Sequence, residues 1–529
     1  MALTTINSGG IKDGSITNTD ISSSASIASS KLNGTASAIG DLSDANTTAT
    51  SNIGLGTGAV DSITTGDYNV GVGDYTLSAC TTGVRNTAGG YIALQSNTTG
   101  SNNTAFGWRA GVDITSGGYN TCVGSEAGEA ITTGSNNAFF GYAAGYSTTT
   151  ANSITGLGMW SLFTNTTGHG NTAVGAYAMR YNTTGAYNTA SGDRALYNNT
   201  TASSNTASGY KSLYSNTTGT ANTANGHQAL RDNTTGSYNT ATGHSSLAPN
   251  TTGSQNVANG YNTLPQNTTG SNNTASGYQA LFSNTTGTNN TASGSRALYY
   301  NTTGAYNTAS GKDALHLNTT GGSNVAVGMY ALHYNTTGSN NTALGKSAGH
   351  TCTTGDNNTF LGFEARGSAA AASHENVIGK NVQGAGAFYT TLGFNGSKSW
   401  LSQGSTSWSG SSDERLKDNI TTSTAGLSFI NELRPVTFEW KAKGDVSVEL
   451  DHYEEGSTER VNGNDKVNHG FIAQEIKAAI DAHPEIGDGH GMWNELGDGS
   501  QGVAQGNLVP MLVKAIQELS AKVEALENA

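Results

Sequence analysis

A seventeen-residue period runs through most of the sequence and leaves few folds open to it. The tetrad NTTG begins at Asn165, Asn182, Asn216, Asn233, Asn250, Asn267, Asn284, Asn301, Asn318 and Asn335, and every interval is 17 or a multiple of it. The same register carries ITTG at Ile63, CTTG at Cys80, NTTG at Asn97, ITSG at Ile114, ITTG at Ile131, TTTA at Thr148, NTTA at Asn199 and CTTG at Cys352, which makes 18 copies. Such self-similarity is the signature of a solenoid, in which each copy forms one coil that cannot bury its own apolar face. The consensus NTTGxxNTAxGxxALxx supplies one Ala-Leu pair per copy, as at Ala280 and Leu281 or Ala297 and Leu298. That is a thin core, so either the coils stack very regularly or several chains share an axis. Glycine at a fixed phase is expected to turn every coil where φ is positive. Asn and Thr at fixed phases are expected to form ladders, amides and hydroxyls bonding their equivalents in the coils above and below. With one coil per copy and a ladder spacing of about 4.8 Å, 18 copies give a rod of roughly 85 Å.

The repeat also governs how composition is read. Only 35% hydrophobic and 12% charged residues in 529 would by themselves suggest disorder. A net charge of −13 with no basic stripe argues against a nucleic-acid partner. The start, MALTTINSGGIKDGS, lacks the features of a secretory signal, and no apolar window reaches the length of a membrane span, so manufacture in a cytoplasm without membrane insertion is expected. Cys80 and Cys352 occupy the first repeat position and Cys122 replaces an Ala, so the three cysteines read as packing residues. No metal site or cofactor is expected.

Four regions follow from these shifts. Residues 1–60 hold a polar leader, ITNTDISSSASIASSKL; residues 61–367 hold the repeats; residues 368–411 read as a break in the period. In that break stand Phe388, Tyr389, Phe394, Trp400 and Trp408, which suit either a cap on the solenoid's open end or a receptor-binding tip for a sugar face. From 412 to 529 the sequence turns charged and aperiodic, with 10 Lys and Arg and 21 Asp and Glu. There the patterning predicts a short helix over 425–433, a strand over 436–441 and an acidic hairpin over 445–465. A strand leading into a helix follows at 469–483, stopped by Pro484. The stripe Leu508, Leu512, Ile516, Leu519, Val523 and Leu526 is near-heptad and favours coiled-coil association. Ser412 and Lys417 stand five apart, a spacing that a turn entering a helix converts into a hydroxyl beside an amine. The plainer reading is a helix start with Asp413 and Glu414 in its first turn.

The segments SDERLKDNI at 412–420, LRPVTFEW at 433–440, HGFIAQEI at 469–476 and LVPMLVKAIQEL at 508–519 resemble, in that order, a known domain. It is the intramolecular chaperone auto-processing domain of phage tailspikes, endosialidases and tail fibres, also found in the myelin regulatory factor. The resemblance implies a homotrimer whose chaperone is released by cleavage between Ser411 and Ser412, with Ser412 as nucleophile and Lys417 as general base. It also implies that the segment 445–465 is an arm that clamps the client, and Gln505 stands where a Tyr is expected. A free lysine amine is protonated at neutral pH, so the base needs burial or a cationic neighbour such as Arg415. The leader resembles segments near the start of phage fibre proteins, and the NTAVG core at 171–175 resembles the head repeats of trimeric autotransporter adhesins, in which three β-rolls pack about an axis.

These readings converge on a mostly β, homotrimeric phage tail fibre or spike, a virion component made in the host cytoplasm. Its N-terminus would join the tail or baseplate and its tip a host glycan or protein. One alternative is a capsule depolymerase, which would need two carboxylates about 5 to 10 Å apart, whereas Asp193, Asp232 and Asp313 are separated by two or more copies. The other is a structural adhesin or ice-binding solenoid, suggested by the Thr ladders.

Overall fold

The computed structural model describes residues 51–529 apart from 406, 411, 464, 488–490 and 498, so the leader up to residue 50 and Ser411 lie outside the described residues. The chain divides into two compact units, 1–411 and 412–529.

In the first unit, three-residue strands recur every seventeen residues from β1 (Ile53–Leu55) to a slightly longer β20 (Asn376–Lys380), each parallel to the next and shifted by one repeat. The stack has 20 such strands, two more than the 18 copies legible as tetrads. At about 4.8 Å per spacing, its nineteen intervals span roughly 90 Å. The expected break at 368 is therefore displaced. One further coil runs through AAAASHENVIG at 369–379, where Glu375 stands in the Asn phase, Val377 in the Ala phase and Gly379 in the Gly phase, and Asn376 pairs with Thr359 in register. Only after β20 does the spacing shorten to 14, with Thr390 of β21 (Tyr389–Phe394) beside Asn376. β21 then turns back antiparallel into β22 (Ser397–Ser402), and a short β23 (Ser409–Gly410) pairs with that. The end of the solenoid is thus closed by a hairpin whose edge is not another coil.

One coil, 284–300, shows why the sequence folds this way. Thr291–Ser293 is the strand, with Thr291 and Ser293 outward and Ala292 fully buried. Ala297 and Leu298 also point inward, as expected, but the interior holds two fully buried asparagines as well. Asn284 donates from Nδ2 to Asn267 Oδ1 at 2.8 Å and to the Gly287 carbonyl at 3.1 Å. Asn290 donates its backbone N–H to Asn273 Oδ1 at 3.0 Å and its Nδ2 to the Gly304 carbonyl at 2.8 Å. Each buried amide is therefore spent on the neighbouring coil or the local turn, which avoids the 1–3 kcal/mol or so that an orphaned buried polar group costs. The Thr ladder differs from expectation, because Thr285 Oγ1 donates to the Thr302 carbonyl at 3.1 Å rather than to its hydroxyl. Amide-lined coils, not more leucine, make the thin apolar core sufficient.

Glycine does less of the turning than expected. Gly294 has φ +135°, and a Cβ there would lie 2.6 Å from the Gly311 carbonyl oxygen, so both conformation and space require it. Gly287 has no positive φ; its Cβ would lie 2.3 Å from Asn284 Oδ1 and 2.6 Å from the Gly304 oxygen, so only close packing requires it. Asn289, Arg296 and Leu298 adopt left-handed φ of 56°, 55° and 53° in the same coil, conformations costing of order 1–2 kcal/mol each for residues with a Cβ. The inter-coil hydrogen bonds, such as Arg296 N–H to the Tyr278 carbonyl at 2.9 Å and Leu298 N–H to the Ala314 carbonyl at 3.0 Å, hold that strain.

The second unit is small and aperiodic. α1 (Leu427–Glu432) packs against the long α3 (Val509–Glu527) and touches α2 (Ala473–Ala482), around a core of Phe429, Ile476, Ala479, Ile480, Met492 and Leu508. Glu518 of α3 accepts from the Leu427 N–H at 2.8 Å, capping α1 across the core, and this backbone bond holds its carboxyl below the usual range. The strand expected over 436–441 is shorter, Val436–Phe438, paired antiparallel with Asn468–Gly470. The hairpin expected over 445–465 is not one. A single bridge, Ala442 to Arg460, closes a loop of turns, and Lys443 pairs with Glu459 at 2.7 Å and Glu454 at 3.4 Å. Along α3, Leu512, Ile516, Leu519, Val523 and Leu526 are 43–77% exposed, so nothing among the described residues covers the heptad stripe.

Candidate functional site

Ser412 and Lys417 flank a single 3-10 turn, Glu414–Leu416, whose N-cap Asp413 accepts from the Arg415 N–H at 2.9 Å. One such turn advances only about 2 Å per residue, and Lys417 follows it in extended conformation, so its side chain reaches back. Lys417 Nζ donates to Ser412 Oγ at 2.8 Å. The turn thus contains both readings of the sequence at once, a capped start with acids in its first turn and an amine on a hydroxyl.

The electrostatic setting is less favourable to a base. Ser412 and Lys417 are exposed. Arg415, the cation that could have crowded the amine, turns instead onto Asp413, with its Nε 3.0 Å from Oδ1. That pairing holds the Asp413 carboxyl below the usual carboxylate range. The geometry of a nucleophile and its base is present in the single chain, while the desolvation that would free the amine's lone pair is not.

The aromatic residues of the tip do not converge. Phe388 and Tyr389 line a groove of about 410 Å³ with His374, Leu401 and Gln403, and Phe388 stacks on His374 at 4.9 Å. Phe394 lies at the other end of β21, under Lys380 at 5.5 Å, and Trp400 is on β22 with Lys398 5.8 Å away. Trp408 stands exposed just before β23. A larger groove of about 730 Å³ lies in the second unit, lined by Phe438, Trp440, Leu450, Phe471, Val503 and Gln505.

The densest aromatic cluster is elsewhere, on the flank of the solenoid around Arg180, whose guanidinium lies 4.3 Å from the Trp160 ring centre and within 5.7 Å of Phe163, Tyr177 and Tyr181. Sequence reading by consensus passes over it, because these residues fill the variable positions. Reading those positions at constant phase finds it.

Asp193, Asp232 and Asp313 are each paired with an arginine, Arg194, Arg231 and Arg296 respectively, on separate coils. No two of them form the carboxylate pair a glycoside hydrolase uses. The three cysteines are buried thiols, and burial pushes Cys80 and Cys352 up to about 11 and Cys122 up to about 12. Among the described residues no cluster of three His, Cys, Asp or Glu could hold a metal, and no helix is long and apolar enough to cross a membrane.

Residues 412–484 match the profile of a peptidase family, Peptidase_S74, described as the chaperone of endosialidase. No curated protein and no solved structure matches the chain. The chain therefore carries, behind a β-solenoid shaft of seventeen-residue repeats, a C-terminal domain of a self-cleaving, peptidase-like chaperone type, a combination consistent with a tail fibre or tailspike.

Proposed function

We propose that this chain is a homotrimeric phage tail fibre or spike subunit used in host attachment, and that its C-terminal unit templates the trimer and then cuts itself free between Ser411 and Ser412. The observation that carries the reading is a coincidence at one residue. The family match begins at Ser412, the second compact unit begins at Ser412, and Ser412 Oγ accepts the hydrogen bond of Lys417 Nζ. In this reading Ser412 Oγ attacks the Ser411 carbonyl carbon while Lys417 takes its proton and passes it to the departing amine, the α-amino group of Ser412 itself. Water then hydrolyses the resulting ester on Ser412 Oγ, which leaves a carboxylate on Ser411 and restores the Ser412 hydroxyl. Because both side chains are exposed in one chain, the base works only once other subunits cover it, which makes cleavage a consequence of assembly.

Two separate surfaces support more than one copy. One is the uncovered stripe of α3. The other is the outward residue of each strand, which follows the Ala of NTA. It is apolar and 39–46% exposed at Val72, Phe106, Phe140, Leu157 and Val174, only Ser, Asn or Thr from Ser191 to Ser310, and apolar again at Val327, Leu344, Leu361 and Ile378. The apolar zones are unequal in length, so a parallel copy in register matches like with like and an antiparallel copy does not.

Denaturing gels and mass spectrometry of parent and Ser412→Ala protein test the cleavage. The parent should give fragments beginning at Met1 and Ser412, and Ser412→Ala an intact chain. Lys417→Ala should also stay intact yet still form trimers by sedimentation, since shape and not proteolysis does the templating. Two fragments from Ser412→Ala, or a cut elsewhere, would remove the assignment.

A further inference from the structure

Between residues 160 and 350 every Lys, Arg, Asp and Glu falls in the six residues that follow the Gly of NTAxG, on one flank of the coil. Seven cations stand there against three acids, a local excess of four positive charges in a chain of net −13. Outside those six positions these coils carry no Lys, Arg, Asp or Glu; Thr, Asn and Ser predominate there, with isolated exposed tyrosines at Tyr187, Tyr238 and Tyr306. The three acids are spent on Arg194, Arg231 and Arg296. Among the described residues no carboxylate pairs with Arg180, Lys211, Lys312 or Lys346, which leaves four cations along ten coils, or about 48 Å of shaft.

The same flank carries flat side chains at two constant phases, and they stack coil upon coil. One file runs Tyr210, His227, His244, Tyr261 and Tyr278, with ring centres 4.8–5.7 Å apart and planes within 25°. A second includes Phe282, Tyr299, His316 and His333, 4.8–5.2 Å apart. At its near end Tyr197 stacks on Tyr214 at 5.0 Å, and Arg180 stands in the same file, its Nη1 3.5 Å from Tyr197 Oη. Arg180 Nε is buried among the rings without a hydrogen-bond partner. Because the rings face one another, their edges are what the first file presents outward, at the exposed Tyr210, His227, His244, Tyr261 and Tyr278, while His316 and His333 of the second hold the Arg296 and Asp313 carbonyls with Nδ1.

We propose that this flank is a binding track for an anionic polysaccharide lying along the shaft. Ring edges and the amides between them meet sugar hydroxyls, and Arg180, Lys211, Lys312 and Lys346 meet acidic substituents. The charge density selects the ligand class. Four unpaired cations over about 48 Å cannot match a duplex that carries a phosphate charge every ~1.7 Å, but they match a glycan with one acid every few sugars. A second copy is disfavoured, since the same track on it brings positive charge to positive. The proposal rests on the attachment reading above and moves its contact surface from the tip to the shaft.

The test uses the full-length fibre, immobilised polygalacturonate and dextran sulfate as carboxylate and sulfate probes, and dextran as the neutral one. Parent protein should bind at least one anionic probe with an affinity that falls as salt rises, and should bind dextran at least tenfold more weakly. The triple variant Lys211→Ala/Lys312→Ala/Lys346→Ala should lose tenfold or more, while Phe388→Ala/Trp408→Ala at the tip should bind like the parent. No anionic binding by the parent, equal binding to dextran, or an unchanged triple variant overturns the track. So does a disulfide between copies when Gln228, on the same flank, is changed to Cys, because the flank is then an interface. Trimerisation and cleavage are read separately, so losing the track leaves the fibre reading standing, and monomers or an uncut chain strike that reading instead.

Discussion

The two units solve opposite problems. In the solenoid every coil is completed by its neighbours, through Asn284 on Asn267, Asn290 on Asn273 and Thr285 on the Thr302 carbonyl, so its order accumulates along the chain. The second unit has one small core around Phe429 and leaves α3 with a bare apolar stripe. What the difference teaches is a division of labour. A stack of identical coils is easily held but poorly started, because any coil can pair one repeat out of register. An aperiodic unit with an unfinished surface is well suited to setting which copies meet and where. The comparison breaks most sharply by deletion. Removing one whole repeat, Asn267–Ser283, keeps every ladder in phase and should give a soluble assembly shortened by about 4.8 Å in electron micrographs. Removing only 267–274 puts all later Asn, Ala and Gly out of phase and should abolish assembly. Equal tolerance of both would mean that the ladders do not hold the shaft.

The next effect separates folding from stability. Phe429 is fully buried at the centre of the second unit's core, and Phe429→Ala should cost about 3–5 kcal/mol there. In a Ser412→Ala background the low-temperature calorimetric transition should move down or vanish, and the yield of soluble assembly should fall severalfold. The solenoid transition of whatever does assemble should be unmoved. A shifted solenoid transition would show that the second unit remains part of the finished shaft's stability rather than a guide to its formation.

Much of this architecture was legible in the sequence and some was not, for physical reasons. The period fixes the coil, and Ala and Leu at constant phase point inward as their chemistry requires. The last coil hid because ENVIG keeps the shape of NTAVG while changing every polar letter, Glu375 even accepting the Asn position and donating its N–H to Asn358 Oδ1 at 2.9 Å. The left-handed Leu298 and Arg296 were unreadable, since nothing in a leucine's chemistry asks for positive φ and only the stacked neighbours impose it. At the candidate site, the five-residue spacing allowed Lys417 to reach Ser412 without requiring it, and it gave no sign that Arg415 would turn away to Asp413, which depends on a capping geometry one turn long. The flank around Arg180 was missed because consensus reading discards the variable positions that carry it.

A smaller effect should give the two units opposite responses to pH. His483 is hydrogen-bonded to Glu485 at 2.8 Å and its Nε2 lies 3.1 Å from the Glu432 carboxylate, and the bond to Glu485 raises its pKa above the ordinary value despite the opposing cost of burial. Its stabilising contribution is complete below the unfolded value near 6.5 and is lost as pH rises through the higher folded value. His316, in the solenoid, is pushed down by burial, against the pull of its bond to the Arg296 carbonyl and of Asp313. Its contribution is present above the unfolded value and is lost as pH falls through the lower folded one. Calorimetry of the uncut Ser412→Ala chain between pH 5 and 8.5 should show the second unit's transition falling with rising pH above about 6.5. The solenoid's should rise with pH below that point. His483→Gln should flatten the first slope, and His316→Phe the second. Parallel slopes would mean that other groups set both.

The smallest expected effect tests whether the Asn ladder ends by design of its own chemistry or merely where the sequence stops. The file from Asn165 to Asn335 passes one hydrogen bond from each Nδ2 to the Oδ1 of the coil before, and Asn335 donates to Asn318 at 2.8 Å. The next residue in phase is Cys352, whose thiol donates to the Gly355 carbonyl at 3.5 Å, and Asn335 Oδ1 is left buried with no donor. Asn97 Oδ1 is orphaned in the same way, and the residue one repeat on is Ile114. Cys352→Asn would supply the missing amide, donating to Asn335 Oδ1 and to the Gly355 carbonyl, as Asn318 and Asn335 do to the carbonyl three residues on. It should stabilise the solenoid by about 0.5–1.5 kcal/mol, seen as a small rise in its transition, whereas Cys352→Ala should lower it. The gain is bounded because Asn358 Nδ2 gives up its weak contact with the thiol at 3.8 Å, though it keeps the Ala372 carbonyl at 2.8 Å and Asn341 Oδ1 at 3.0 Å. A destabilised Cys352→Asn protein would show that the coil there is too tight for an amide, and that packing, not hydrogen bonding, decides where the ladder ends.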